Sequence, residues 1–361
     1  MTDTKTTRVL VVDDEPSILE LLKTALVALG GYDVTTAWSG QDALIAMSKA
    51  KPRFDMVLLD IQMPEMNGVE ACRQIRAMAS YEDVPVIMLT AMSQMDYVEK
   101  AFLAGATDYV TKPFNFEDLR NRMVNAFRAV ETRRAADAAA RETAVKAGLG
   151  PHERIKFDAK LDFSQFDRVL ETDRFDNYVR QMVGSRAPHT SAFAVKVSNG
   201  YYLHRALTND EFIDTIREVT ALLAEATAKM GSLISYRGQG IFLCVEYGNR
   251  LSDPEEIEHF LNIQVHGHTD KNIRPKIVVS PHAELKQNDK ATARHLISDA
   301  ISKVELRDSE SAAEARSPAP AAAPQGAAAM MRRPIWGLGQ PDPANEQRSY
   351  RTILSSVLRG S

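Results

Sequence analysis

The chain has 361 residues, 44% of them apolar and 25% charged, with a formal net charge of −4 and a sequence pI of about 6.1. That balance is typical of a soluble globular protein of about two to three domains at roughly 150 residues each, with no global pull toward nucleic acid or an anionic membrane. Cys72 and Cys244 sit inside apolar patterns and read as buried free thiols, no apolar run nears the roughly 20 residues of a membrane span, and the opening MTDTKTTR lacks a signal-peptide core, so a cytoplasmic protein is expected.

After a tail at residues 1–7, residues 8–128 alternate strand and helix patterns. "VLVVD", "DMVLLD" and "VPVIMLT" are short, nearly continuous apolar runs, as strands covered on both faces read. "YDVTTAW" and "TDYVTK" bring the set to five. The first intervening helix carries Ile18, Leu21, Leu22, Ala25, Leu26 and Leu29 at helical spacing and stops at Gly30-Gly31. Five such units predict an α/β fold, a doubly wound five-stranded parallel sheet with right-handed crossovers.

From Phe116 to about Lys146 the pattern is helical, with no Gly or Pro. Residues 129–150 are expected to be a helical linker; a weak coiled coil and a solvated connector both fit its alanine-rich stripe. Residues 151–307 read as a second, α+β region. Its strands are "SAFAVKVS", "ISYRG…IFLCVEY" and "IRPKIVVSP"; its helices are the long "NDEFIDTIREVTALLAEATAKM" and the closing "ATARHLISDAISKVE". Residues 308–345 are rich in Ala and Pro and cannot bury a core, which marks a linker. In residues 346–361, Tyr350, Ile353, Leu354, Val357 and Leu358 have the spacing of an amphipathic helix.

The chemistry of the first region lies at its strand ends. Asp13 and Asp14 close the first strand, Asp60 the third, Thr90 the fourth and Lys112 the fifth. A parallel sheet brings these tips to one crevice. Three carboxylates there repel unless one is protonated or a cation shares them, and a hard ion such as Mg²⁺ suits all-oxygen ligands. An aspartate beside that ion can attack phosphorus, with the lysine and metal offsetting the phosphoryl charge.

"VVDDEPSI", "LLDIQMPEMNG", "MLTAM" and "DYVTKPF" resemble the motifs of the two-component receiver domain, with all five signature positions filled. The resemblance implies Asp60 as phospho-acceptor. It implies Asp13, Asp14, Asp60 and the backbone carbonyl of Gln62 as Mg²⁺ ligands, and Lys112 as the phosphate-pairing lysine, with a cis Lys112-Pro113 bond. Thr90 and Tyr109 would be the switch pair, although Tyr109 also fits half-buried packing on a strand edge.

The layout of the second region, from about Asp173 to Leu306, resembles the GGDEF domain of diguanylate cyclases with its chemistry removed. The signature turn reads Gly238-Gln239-Gly240-Ile241-Phe242, so Gly240 and Ile241 stand where the family has acids. Lys196 stands at the metal-binding aspartate, His204 at the substrate-binding asparagine and Ile213 at the guanine-contacting acid. Two-metal chemistry needs anionic ligands, and a lysine in the metal position repels the ion. Asn209 reads as a helix N-cap, and His266 and His268 as surface histidines.

These readings point to a response regulator phosphorylated on Asp60 by a sensor histidine kinase or phosphotransfer protein. Phosphorylation would remodel the face made by the fourth helix, fifth strand and fifth helix and change self-association in a homodimer. The degenerate second domain would contact a downstream protein, with no DNA partner. Two alternatives remain open at this stage. One is a diguanylate cyclase drawing metal ligands from Asp210, Glu211 or Asp214. The other is a metal-free site for GTP or cyclic di-GMP built from the glycine hairpin and Lys196.

Overall fold

The computed structural model describes residues 6–91, 95–146, 154–184, 189–248, 251–267, 273–284 and 292–314. The expected C-terminal helix and nearly all of the Ala/Pro-rich linker lie outside them.

The first region runs β1 (Thr7–Val12), α1 (Pro16–Leu29), β2 (Tyr32–Ala37), α2 (Gly40–Lys49), β3 (Met56–Asp60), α3 (Gly68–Ala77), β4 (Val86–Thr90), α4 (Met95–Leu103), β5 (Asp108–Thr111) and α5 (Phe116–Lys146). The strands form one parallel sheet in the order β2-β1-β3-β4-β5. The apolar runs explain it: β3 and β4 are buried at every residue, as a sheet sandwiched by helices requires. Helix starts follow local chemistry. Ser39 accepts from the Asp42 N–H and Asn67 from the Glu70 N–H, while Pro16 opens α1.

The second region runs α6 (Thr172–Gly184), β6 (Ser191–Val197), α7 (Gly200–Ala206), α8 (Asn209–Ala226), β7 (Leu233–Tyr236), β8 (Ile241–Glu246), α9 (Pro254–Gln264), β9 (Ile277–Val279), β10 (Ala283–Glu284) and α10 (Ala293–Glu314). Its sheet is antiparallel, ordered β10-β6-β8-β7, and β9 also pairs with β6. The α+β expectation therefore holds.

Three expectations need correction. The N-cap of α8 is Thr208, not Asn209. Thr208 and Glu211 form a reciprocal capping box, and the Asn209 side chain instead accepts from the Ile155 N–H. The Ala/Pro-rich linker does not start at residue 308, because α10 continues to Glu314; its sequence has no Gly or Pro to stop it there. Finally, the two regions are not separate bodies. Residues 1–316 form one compact unit. One core runs from Leu10, Val57 and Met88 through Phe102 and Tyr109 into Phe175, Tyr178 and Met182, and on to Ala194, Leu243 and Leu296.

Candidate functional site

The sheet delivers Asp13, Asp14, Asp60, Thr90 and Lys112 to one crevice, as the strand ends predicted. Asp13 is fully buried and Asp60 nearly so, while Asp14 reaches solvent. One carboxylate oxygen from each of the three lies within 4.8 Å of the others. The Lys112 ammonium lies between two of these acids, 2.7 Å from Asp13 Oδ2 and 2.8 Å from Asp60 Oδ1, with Glu15 at 3.9 Å. The Lys112 N–H donates to the Thr90 carbonyl at 2.7 Å, which ties the lysine to the neighbouring strand tip. Lys112-Pro113 is cis, as expected.

The electrostatics follow from burial. Desolvation pushes the Asp60 carboxyl above its ordinary value; Lys112 pulls it back, Asp13 pushes further, and the net shift is upward. Burial works against the Lys112 ammonium, but hydrogen bonds and charge from Asp13 and Asp60 outweigh it and raise its pKa. The crevice is thus short of positive charge by itself. Three convergent, hard carboxylate oxygens fit a divalent cation such as Mg²⁺. Asp60 is further fixed by the Gln62 N–H, which donates to Oδ2 at 2.8 Å.

Thr90 is buried at the tip of β4. Tyr109 is only 6% exposed, which corrects the reading of a half-buried edge residue. Its ring meets Phe102 edge-on, with centroids 6.5 Å apart. Phe102 in turn meets Tyr178 of α6 edge-on at 5.6 Å. The α4–β5 face expected to mediate self-association is therefore covered by the chain's own α6.

Two participants escaped the sequence reading. Gly68 begins α3 under Asp60, and a Cβ there would lie 2.0 Å from the Asp60 carbonyl oxygen, so only glycine lets the β3–α3 connection close. The second is α6 itself. Its signal was present as Phe175, Tyr178, Val179 and Met182, an apolar stripe at helical spacing.

Among the described residues, the positions that the sequence reading aligned with a cyclase signature are engaged by the chain's own side chains and backbone. Lys196 pairs with Glu305 and with Asp308 of α10, the latter at 2.8 Å, so its charge is already used. The glycine hairpin is occupied by its own chain. Gln239 N–H donates to the Phe157 carbonyl, Gly240 N–H to the Tyr236 hydroxyl and Ile241 N–H to the Gly238 carbonyl. Gly238 has φ +84°, and a Cβ there would lie 2.6 Å from the Asp158 carbonyl oxygen. His204 is buried with Nε2 2.7 Å from the Ile155 carbonyl, and it packs on Phe157 and Phe212. Ile213 packs at the edge of the core formed by β6–β8 and α8, and Phe242 lies within that core. His266 faces Glu218, and His268 is outside the described residues.

A family model, the response regulator receiver domain, matches residues 9–124. The chain is 31% identical over 231 residues to the response regulator MprA of Mycolicibacterium vanbaalenii, covering 60% of this chain and 97% of that protein. It is 41% identical over 121 residues to the DNA-binding response regulator MtrA of Mycolicibacterium smegmatis, covering 34% of this chain and only 50% of that one. Among solved structures it is similar to the receiver domain of the Pseudomonas aeruginosa sensor histidine kinase PA1611, described with magnesium in the active-site cleft. That similarity has 31% identity and a TM-score of 0.32, and covers 34% of this chain and 97% of that one.

Proposed function

This chain belongs to the response regulator family, and on that premise we propose that it accepts a phosphoryl group on Asp60 from a sensor histidine kinase or phosphotransfer protein and signals by protein contact. The observation that carries this reading is Lys112 held between Asp13 and Asp60, inside a cluster of three carboxylates. A carboxylate oxygen of Asp60 forms the new O–P bond. The donor's P–N bond breaks, and its electron pair returns to the imidazole nitrogen, which takes a proton from water. Asp13, Asp14, Asp60 and the Gln62 carbonyl would hold Mg²⁺, which supplies charge neutralisation of the phosphoryl oxygens when bound. Lys112 can follow the arriving oxygens from its seat between the acids, and the Thr90 hydroxyl stands at the adjacent strand tip to donate to one of them.

We read the second region as a degenerate GGDEF-like scaffold without cyclase chemistry. Sealing of the hairpin by Phe157 and Asp158 and the ion-paired Lys196 support this and disfavour the metal-free nucleotide site. Asp210 and Asp214 are exposed on α8, and the Glu211 side chain caps that helix, so the substitute metal set does not converge. The name of MtrA describes DNA binding by that protein. Here α8 and α9 present Asp210, Glu225, Glu255 and Glu256 to solvent, with Asp214 paired to Arg217, which disfavours a phosphate backbone on these two helices. Self-association remains part of the proposal, through surfaces other than the α4–β5 face while α6 covers it.

The test is a pull-down with the full chain, with and without acetyl phosphate and Mg²⁺, alongside Asp60→Asn. A partner whose capture changes with phosphorylation of the wild type, and not of the variant, is expected. Cyclic di-GMP formation from GTP by the purified chain would overturn the inert reading of the second region.

A further inference from the structure

One surface of the second region combines an apolar floor with an acidic rim. Helix α8 ends at Ala226, and a short 3₁₀ turn, Ala228–Met230, follows it. α9 begins beside that turn, with Asp253 as its N-cap. The two helices share one core through Leu223, Ile257 and Leu261. Between the end of α8 and the start of α9 lies an open groove of about 400 Å³. Its floor is Ala226, Met230, Ile257 and Phe260, and Met230 is 36% exposed. Glu256, Phe260 and Ile263 recur at i, i+4 and i+7 along α9, so they share one face. Ile263, 56% exposed, prolongs the apolar strip beyond the groove.

The rim carries charge of one sign. Glu225, Asp253 and Glu256 line the groove and are exposed, and Lys229 is the one cation among the described residues around it. Glu255 adds a further exposed acid in the first turn of α9. None of these four acids has an ion pair among the described residues. An apolar strip between two helices suits a helix laid along it, with aliphatic anchors at i, i+3, i+4 and i+7. The strip from Glu256 to Ile263 spans about 10 Å, two turns of an opposing helix. Acids without counter-ions attract a positively charged occupant and reject an acidic one.

We propose that this groove docks a basic amphipathic helix of a partner protein, with its aliphatic side chains on Met230, Phe260 and Ile263 and its lysines or arginines against Glu225, Asp253 and Glu256. The proposal rests on the second region acting by protein contact, and it names the chemistry of what that region contacts.

The experiment is fluorescence anisotropy of a labelled synthetic helix of about 18 residues titrated with the full chain at roughly 0.15 M salt. The peptide is built of leucine, alanine and lysine, with its leucines at i, i+3, i+4 and i+7. Saturable binding is expected, and none by the same peptide with glutamate for lysine. Glu225→Lys with Glu256→Lys is expected to weaken binding about tenfold or more, and Met230→Ser with Ile263→Ser to weaken it comparably. All four positions are exposed, so these variants are expected to fold. Asp210→Lys with Glu20→Lys makes the same change in net charge, with Asp210 about 22 Å from Glu225 along α8; affinity is expected to stay within about twofold. No binding to wild type, binding of the glutamate peptide, or an equal loss in this control pair overturns the proposal. Sedimentation of the free chain addresses the rival occupant: a dimer that dissociates in Glu225→Lys with Glu256→Lys assigns the groove to a second copy and overturns the proposal. Pull-down with the same variant keeps the two readings apart. Phosphorylation-dependent capture that survives the charge reversal overturns the groove alone, whereas no capture even by wild type overturns the protein-contact reading beneath it.

Discussion

Replacing Asp60 by asparagine should stabilise the metal-free protein. Asp60 oxygens lie within 4.8 Å of those of Asp13 and Asp14. At that distance each like-charged pair costs about 3.5 kcal/mol with an effective dielectric of about 20. Burial adds a desolvation cost, and Lys112 offsets much of both, yet the carboxyl still ends above its ordinary value. The neutral side chain is therefore expected to give the higher melting temperature in the absence of metal. The pH dependence has a definite sign. A raised folded-state pKa contributes stability below the unfolded value near 3.9, and that contribution is lost as pH rises through the folded value. In chelator, the advantage of Asp60→Asn should therefore shrink as pH falls toward about 4. Mg²⁺ should reverse the order. At roughly tenfold above its dissociation constant it adds about 1.4 kcal/mol to the wild type and less to the variant, which lacks one ligand. Thermal melts at neutral pH, in chelator and in Mg²⁺, measure all of this. Equal Mg²⁺ gains for the two proteins, or a variant more than about 1 kcal/mol less stable in chelator, would refute the reasoning.

Other outcomes follow from close approaches and ion pairs. Gly68→Ala places a methyl 2.0 Å from the Asp60 carbonyl, so a loss above about 2 kcal/mol and a diminished Mg²⁺ gain are expected in the same melts. Gly238→Ala combines φ +84° with a 2.6 Å clash on the Asp158 backbone; urea unfolding should show a loss of about 2–3 kcal/mol. Lys196→Ala should cost about 1 kcal/mol or more, because Asp308, only 16% exposed, loses its cation, while the screened pair with half-exposed Glu305 adds little. GTP titrated into wild type and Lys196→Ala should give no binding heat in either, since the cradle amides are already bonded.

The first region was legible because its strands are buried on both faces and its acids sit at strand tips. Burial of "VLVVD" and "DMVLLD" leaves few choices of fold, and parallel order then brings Asp13, Asp60 and Lys112 together. The second region was less legible for particular reasons. The stripe on α6 shows that a face is buried, but not against what, and nothing local in Tyr178 points to Phe102, a residue 76 positions away by numbering. The glycine hairpin resembled an anion cradle because sequence shows which amides exist, not which are engaged. Phe157 and Asp158 fill the cradle from upstream. Thr208 and Asn209 are adjacent capping residues of similar strength, and only the return bond from Glu211 separates them.

The central claim is that Asp60 carries the phosphoryl group. Intact-mass and peptide mass spectrometry of the chain after acetyl phosphate treatment tests it most directly, in Mg²⁺ and in chelator, beside Asp60→Asn. A single acid-labile phosphoryl adduct on Asp60, dependent on Mg²⁺ and absent from the variant, is expected. A stable adduct on another residue, or none on the wild type in Mg²⁺, would contradict it.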